Sequence, residues 1–132
     1  MITAQAAGRA GGALLAGVAL FQLGLAAGAP WGAAAWGGAR PGRLPAGLRA
    51  ASGASAVLIG GIAATAAVPE LVPSGTRARV LRGAAIYLAL GVPLNAVSRS
   101  PVERVWAPVN ACGAMLLWRA TAAPGEPGAT PA

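Results

Sequence analysis

Few side chains in this chain can do chemistry, and their types narrow the reactions open to it. There is no His, Asp or Lys; the three acids are Glu70, Glu103 and Glu126, and Cys112 is the sole cysteine. Within one chain this set excludes a Ser-His-Asp triad, a His proton relay, an EF-hand loop and a Cys/His zinc cluster. A P-loop lacks its lysine, and an intrachain disulfide lacks a second thiol. No catalytic, metal-ligating or cofactor-binding residue is therefore expected. What remains are neutral polar groups set in apolar stretches: Gln22, Tyr87, Asn95 and Asn110. In hydrocarbon such groups face inward, where they either hydrogen-bond between helices or line a small polar cavity. No acid lies deep in an apolar stretch, so a proton- or cation-coupled pump has no ion-binding carboxylate. Glu70 falls at the water boundary, and Cys112 reads as a small buried packing residue.

The elements that would position these groups follow from the charges. In 132 residues there are 10 basic and 3 acidic side chains, a net +7, with 10% charged and 56% apolar residues. Soluble domains run at roughly 25% charged, and the mean hydropathy here is +0.63. Residues 10–39, 50–69, 83–98 and 105–118 carry no charge at all. Since flanking arginines snorkel, all four windows can span a bilayer. The fold expected is all-α and polytopic, with transmembrane helices over about 10–29, 45–68, 77–97 and 101–121, and a disordered Pro/Gly-rich tail over 122–132. These spans make 1–121 one transmembrane domain in the cell inner membrane, with both termini on the same side. The first apolar run exceeds a signal-peptide core, so it is expected to be retained.

Local signals refine the ends. Pro30 stops helix 1, with Trp31 and Trp36 as interfacial anchors, and GGARPGRLP (37–45) is a loop. Thr76 is a candidate N-cap for helix 3, whose early arginines Arg77, Arg79 and Arg82 oppose the helix dipole and so are assigned to headgroups. Pro93 should kink helix 3 or end it near Gly91. Ser100-Pro101-Val102-Glu103 reads as a capping box that starts helix 4 near 101. Glu103 is then committed to capping, with a secondary pair to Arg99 or Arg104, and Trp106 lies near the interface. Pro108 should bend the second turn.

Leu25-x-x-Gly28-x-Pro30 aligns with Leu88-x-x-Gly91-x-Pro93, so hairpins 1–2 and 3–4 read as two copies of one unit. Gly24, Gly28 and Gly32 recur every four residues, and Gly12 with Ala16 and Gly60 with Ala64 repeat the small-xxx-small pattern. Such spacing brings backbones together in lipid, inside the four-helix unit or along a homodimer seam or other membrane partner. Gly28 should bear on packing more than Gly113, which stands alone. The arginines form no dense tract, so the expected partners are lipids, with anionic headgroups at the arginine-rich rims, and not nucleic acid.

Two stretches carry a resemblance. One is Phe21-Gln22-Leu-Gly-Leu-Ala-Ala-Gly-Ala-Pro-Trp-Gly32 with Gly37-Gly38, Pro41-Gly42, Leu44-Pro45 and Leu48-Arg49. The other is Asn95-x-x-x-Arg99-Ser-Pro-x-Glu103-Arg104-x-Trp106-Ala-Pro108-Val. Together they resemble a group of small uncharacterised bacterial four-span integral membrane proteins. The resemblance implies four spans and carries over no catalytic or ligand residue. The function expected is a non-enzymatic membrane component, with a small dimeric transporter or channel-like subunit as first alternative and a lipid-acting membrane enzyme as second.

Overall fold

The computed structural model describes residues 1–122; the tail assigned above lies outside them from 123 onward. Four α-helices form the described fold: α1 (Ala4–Ala27), α2 (Ala46–Ala67), α3 (Ser74–Ala96) and α4 (Trp106–Arg119). No sheet forms among the described residues; one isolated backbone bridge joins Trp31 and Gly42 in the α1–α2 connection. The helices run alternately up and down. The α1–α2 and α3–α4 connections touch at one end through Ser100 and Ala33. At the other end Arg77 joins the close of α2 to that of α4.

α1 and α2 are long and apolar enough to cross a membrane, with window mean hydropathies of 1.8 and 1.5. α3 matches them in length, at 23 residues, but carries three arginines in its first half. The α-helical part of α4 has only 14 residues.

The helix ends differ from the sequence reading for physical reasons. α1 starts at Ala4 instead of about 10, because Thr3 accepts from the Ala6 N–H at 3.1 Å and caps it. Arg9 projects outward from the helix and marks no boundary. α3 starts at Ser74, after Pro73, so Thr76 is a helical residue and not the cap. It also runs through Pro93 to Ala96, with the Asn95 amide donating to the Gly91 carbonyl in the same turn. α4 begins at Trp106, preceded by a 3-10 turn at Glu103–Val105, and not near 101. Pro108 therefore sits in the first turn, where a missing N–H costs nothing.

Small residues fill the interior. One buried cluster joins Ala7, Ala63, Ala66, Ala85 and Ala120 to Leu15, Leu81 and Leu117. Large apolar side chains point outward from every helix, among them Leu20, Leu23, Val57, Leu58, Ile86, Leu90, Leu94 and Met115. Val57, for example, is 77% exposed. Cys112 is exposed as well, contrary to its expected burial.

Of the glycines the four-residue spacing singles out, Gly12 brings helices together and the others do not. A Cβ at Gly12 would lie 2.8 Å from the Ala63 carbonyl oxygen, and one at Gly8 would lie 2.6 Å from that of Ala66. Gly11 and Gly113 are likewise closed in, by Leu117 and by Leu88 respectively, so Gly113 does not stand alone. Gly28 instead ends α1 in the left-handed conformation, φ 100°, its N–H reaching the Gly24 and Leu25 carbonyls. Gly24 takes the Trp31 ring against its Cα, and Gly32 lies against the Arg40 and Gly42 carbonyls. These three glycines fold the chain back at the end of α1. Gly60 faces open space and packs against nothing.

Candidate functional site

Three of the polar residues inside the helices fall at matching depth because each lies near the same end of the bundle. Gln22 is late in α1, Asn95 late in α3 and Asn110 early in α4, while Ser55, near the middle of α2, lies deeper. In an up-and-down bundle those positions meet. The structure brings Gln22, Tyr87, Asn95 and Asn110 to one cavity of about 290 Å³, whose wall also includes Ser55, Trp36, Trp106 and Glu103. Tyr87 lines its edge and is itself 77% exposed on the outer face of α3. The Gly91 site is open because it must be: a Cβ there would collide with the Asn110 amide nitrogen.

One polar atom in this wall is unprovided for. The Gln22 carbonyl oxygen Oε1 is buried and has no hydrogen-bond partner among the described residues. An acceptor left in that state costs about 1–3 kcal/mol. Such a cost is tolerated where the group serves something besides stability.

The connections roof the cavity. Residues 28–45 fold back over the bundle, and the aromatic ring of Phe21 stacks on Trp31 at 5.7 Å and tilts against Trp106 at 4.9 Å. The Trp106 Nε1–H donates to the Ala34 carbonyl at 2.6 Å, and the Trp36 Nε1–H donates to the buried Ser52 hydroxyl at 3.0 Å. Trp36 adopts a left-handed conformation, φ 53°, and Gly37 and Gly38 follow it at 81° and 66°. A non-glycine residue stays there only when its surroundings over-determine it. Here the fixing contacts are the indole–Ser52 bond on one side and the Gly37 N–H on the other.

That N–H meets Glu103. The carboxylate is 8% exposed. Its Oε1 accepts from the Gly37 N–H at 2.8 Å and its Oε2 accepts from the Ser98 hydroxyl. The capping box is therefore only half made. The Ser100 hydroxyl is a long 3.4 Å from the Glu103 N–H, and it donates at 2.6 Å to the Ala33 carbonyl across the gap. Glu103 leaves its helix end for the opposite connection, which explains the delayed start of α4. The expected pairing with Arg104 is replaced too, since the Arg104 guanidinium donates to the Ser98 carbonyl at 2.8 Å.

At the opposite end Arg77 is not free for headgroups. It donates from Nε to the Thr65 carbonyl (3.0 Å), from Nη2 to Ala66 (2.9 Å) and from Nη1 to Ala120 (3.0 Å). A charge at the start of α3 is thus placed against the C-terminal, electronegative ends of α2 and α4. Arg49 does the same in the first turn of α2, donating to the Ala26 carbonyl of α1 at 3.0 Å.

No family model, curated protein or solved structure matches the chain. The chemistry of the cavity rests on its own residues. Among those described, no three His, Cys, Asp or Glu side chains gather, so it offers no metal-ligand set. It offers hydrogen-bond acceptors, amides and aromatic faces around one carboxylate. Ser52 and Ser98 escaped the sequence reading, and Phe21 and Gly37 carried no contact in it, because what each does depends on how the two connections meet. The Trp36-Gly37-Gly38 run was the one local sign of a special backbone there.

Proposed function

We propose that this protein is a four-span integral membrane protein of the cell inner membrane, a non-enzymatic component that encloses a small polar cavity. The observation that carries this is the inverted distribution of side-chain size. Alanine and glycine make most of the helix contacts, with Leu15, Leu81 and Leu117 among them, while Leu, Val, Ile and Met line the outside of the helices. In water an outer surface of that kind is a large exposed apolar patch. In lipid it costs nothing, and close approach of small residues supplies the packing. α3 rises about 34 Å, and its arginines lie in its first half, within snorkelling reach of one interface. The exposed Arg40, Arg43, Arg99 and Arg104 form a rim suited to anionic headgroups.

Alkaline carbonate should leave the protein with the membrane pellet. In a Cys112→Ala background, an impermeant thiol reagent should label a cysteine placed at Arg43 from one face of the membrane and one placed at Ser74 only from the other. Release without detergent, or labelling of both from one face, would overturn the four spans. A second reading, a small-molecule-binding or transporter-like subunit, is favoured by the unpartnered Gln22 oxygen in the cavity wall. A purely structural bundle would bury an apolar residue there.

A further inference from the structure

The polar cavity does not end at Tyr87. A second cavity of about 320 Å³ adjoins it at mid-depth, sharing Val18, Ser55, Ile59, Tyr87, Leu88 and Asn110 as common wall. Beyond that wall its lining turns apolar, with Leu15, Ile62 and Ala84 among the residues. Spaces of this size are in the range of ligand pockets, which are mostly apolar with a few placed polar groups. The polar end has a definite sign. Glu103 is the one charged residue lining either chamber, and no arginine does so, although the chain as a whole carries +7. Each Glu103 oxygen accepts one hydrogen bond from the protein and keeps a second lone-pair site. The Gln22 oxygen lies buried behind this lining without a hydrogen-bond partner. Trp36, Trp106 and Phe21 line the same space, and aromatic rings attract cations over their faces.

We propose that the two chambers form one binding site for a hydrophobic amine. Its ammonium sits among Glu103, Gln22 and the tryptophan rings, and its apolar body lies in the mid-depth chamber. An ammonium with N–H donors meets the free lone pairs of the carboxylate and, with a turn of the Gln22 amide, the unpaired Gln22 oxygen, whereas an anion would face a buried carboxylate. An alcohol would lose the charge-assisted and cation–π terms. The assignment deepens the second reading above and rests on the first for the medium around the site.

The test uses the full chain in phosphatidylcholine nanodiscs, with empty nanodiscs as reference. Calorimetric titrations at pH 7 compare 4-phenylbutylamine with 4-phenylbutanol and 4-phenylbutanoate, which share one apolar body. The amine should bind saturably and at least about tenfold more tightly than the alcohol, and the carboxylate should not bind. Glu103→Gln keeps an acceptor for Gly37 and should erase the amine's advantage. Ala84→Phe fills the apolar chamber and should weaken amine and alcohol alike. Gln22→Leu, which touches none of the roof contacts, should lower amine affinity by itself, so the outcome does not hang on the folding of Glu103→Gln. Equal binding of amine and alcohol, tighter binding of the carboxylate, or amine affinity unmoved by Gln22→Leu and Ala84→Phe would overturn the proposal. If carbonate instead releases the chain, the membrane reading fails, and the same titrations in buffer still decide the amine.

Discussion

At the end holding the α2–α3 connection, Arg77 meets three backbone carbonyls, and Gly8 and Gly12 let α1 approach α2 without a side chain between them. At the other end a roof of aromatic rings and serines covers a space in which the Gln22 oxygen has no partner. Both ends hold polar groups away from solvent, and at the second one of them, the Gln22 oxygen, is left without a partner. Buried polar atoms are expensive until paired, so the closed end is where the bundle gains stability and the roofed end is where it gives some up.

The largest blow to that contrast should come from Arg77→Met, which orphans three carbonyls at once. Thermal unfolding in a mild detergent should show a loss of about 3 kcal/mol or more, with Arg77→Lys recovering only part, since one ammonium lacks the planar fork. A loss under about 1 kcal/mol would mean that water or detergent replaces the guanidinium. Next in size is Gly12→Leu, which forces a side chain against Ala63 and Ala67 and should cost about 2–3 kcal/mol in the same assay. Gly60→Leu, made into open space, should change stability by no more than about 0.5 kcal/mol. Equal losses from the two would remove the packing argument. The smallest effect has the opposite sign. Gln22→Leu should raise stability by about 1 kcal/mol, because it removes an unpaired acceptor. A loss there would show that the Gln22 amide is already satisfied and that the roofed end is no different in kind.

The parts of this architecture legible in the sequence were those with a local cause. Charges bound the apolar windows, and α2 falls within a residue of the expected range at each end, because Pro45 and Pro69 flank it. The depth of Gln22, Asn95 and Asn110 along their helices was enough to bring them together once the helices alternate. What the sequence hid was made by contacts between distant residues. Glu103 satisfied a local pattern, the capping box, that its carboxylate abandons for Gly37. Gly24, Gly28 and Gly32 had the spacing of a helix seam but serve a turn, since Gly28 needs its positive φ to end α1. Arg77 looked misplaced against its own helix dipole because the ends it serves belong to α2 and α4.

The arginines also carry an order in time. Arg49 lies in the first turn of α2 and closes the end of α1; Arg77 lies in the first turn of α3 and closes the end of α2. Arg104, just ahead of α4, returns to Ser98 just past α3. A chain made from its N-terminus thus leaves each helix open until the ribosome delivers the opening residues of the next, and those residues carry the missing donor. The closing of each helix end thereby follows the order of synthesis, and losing Arg49 or Arg77 leaves the last carbonyls of the helix upstream without their donor.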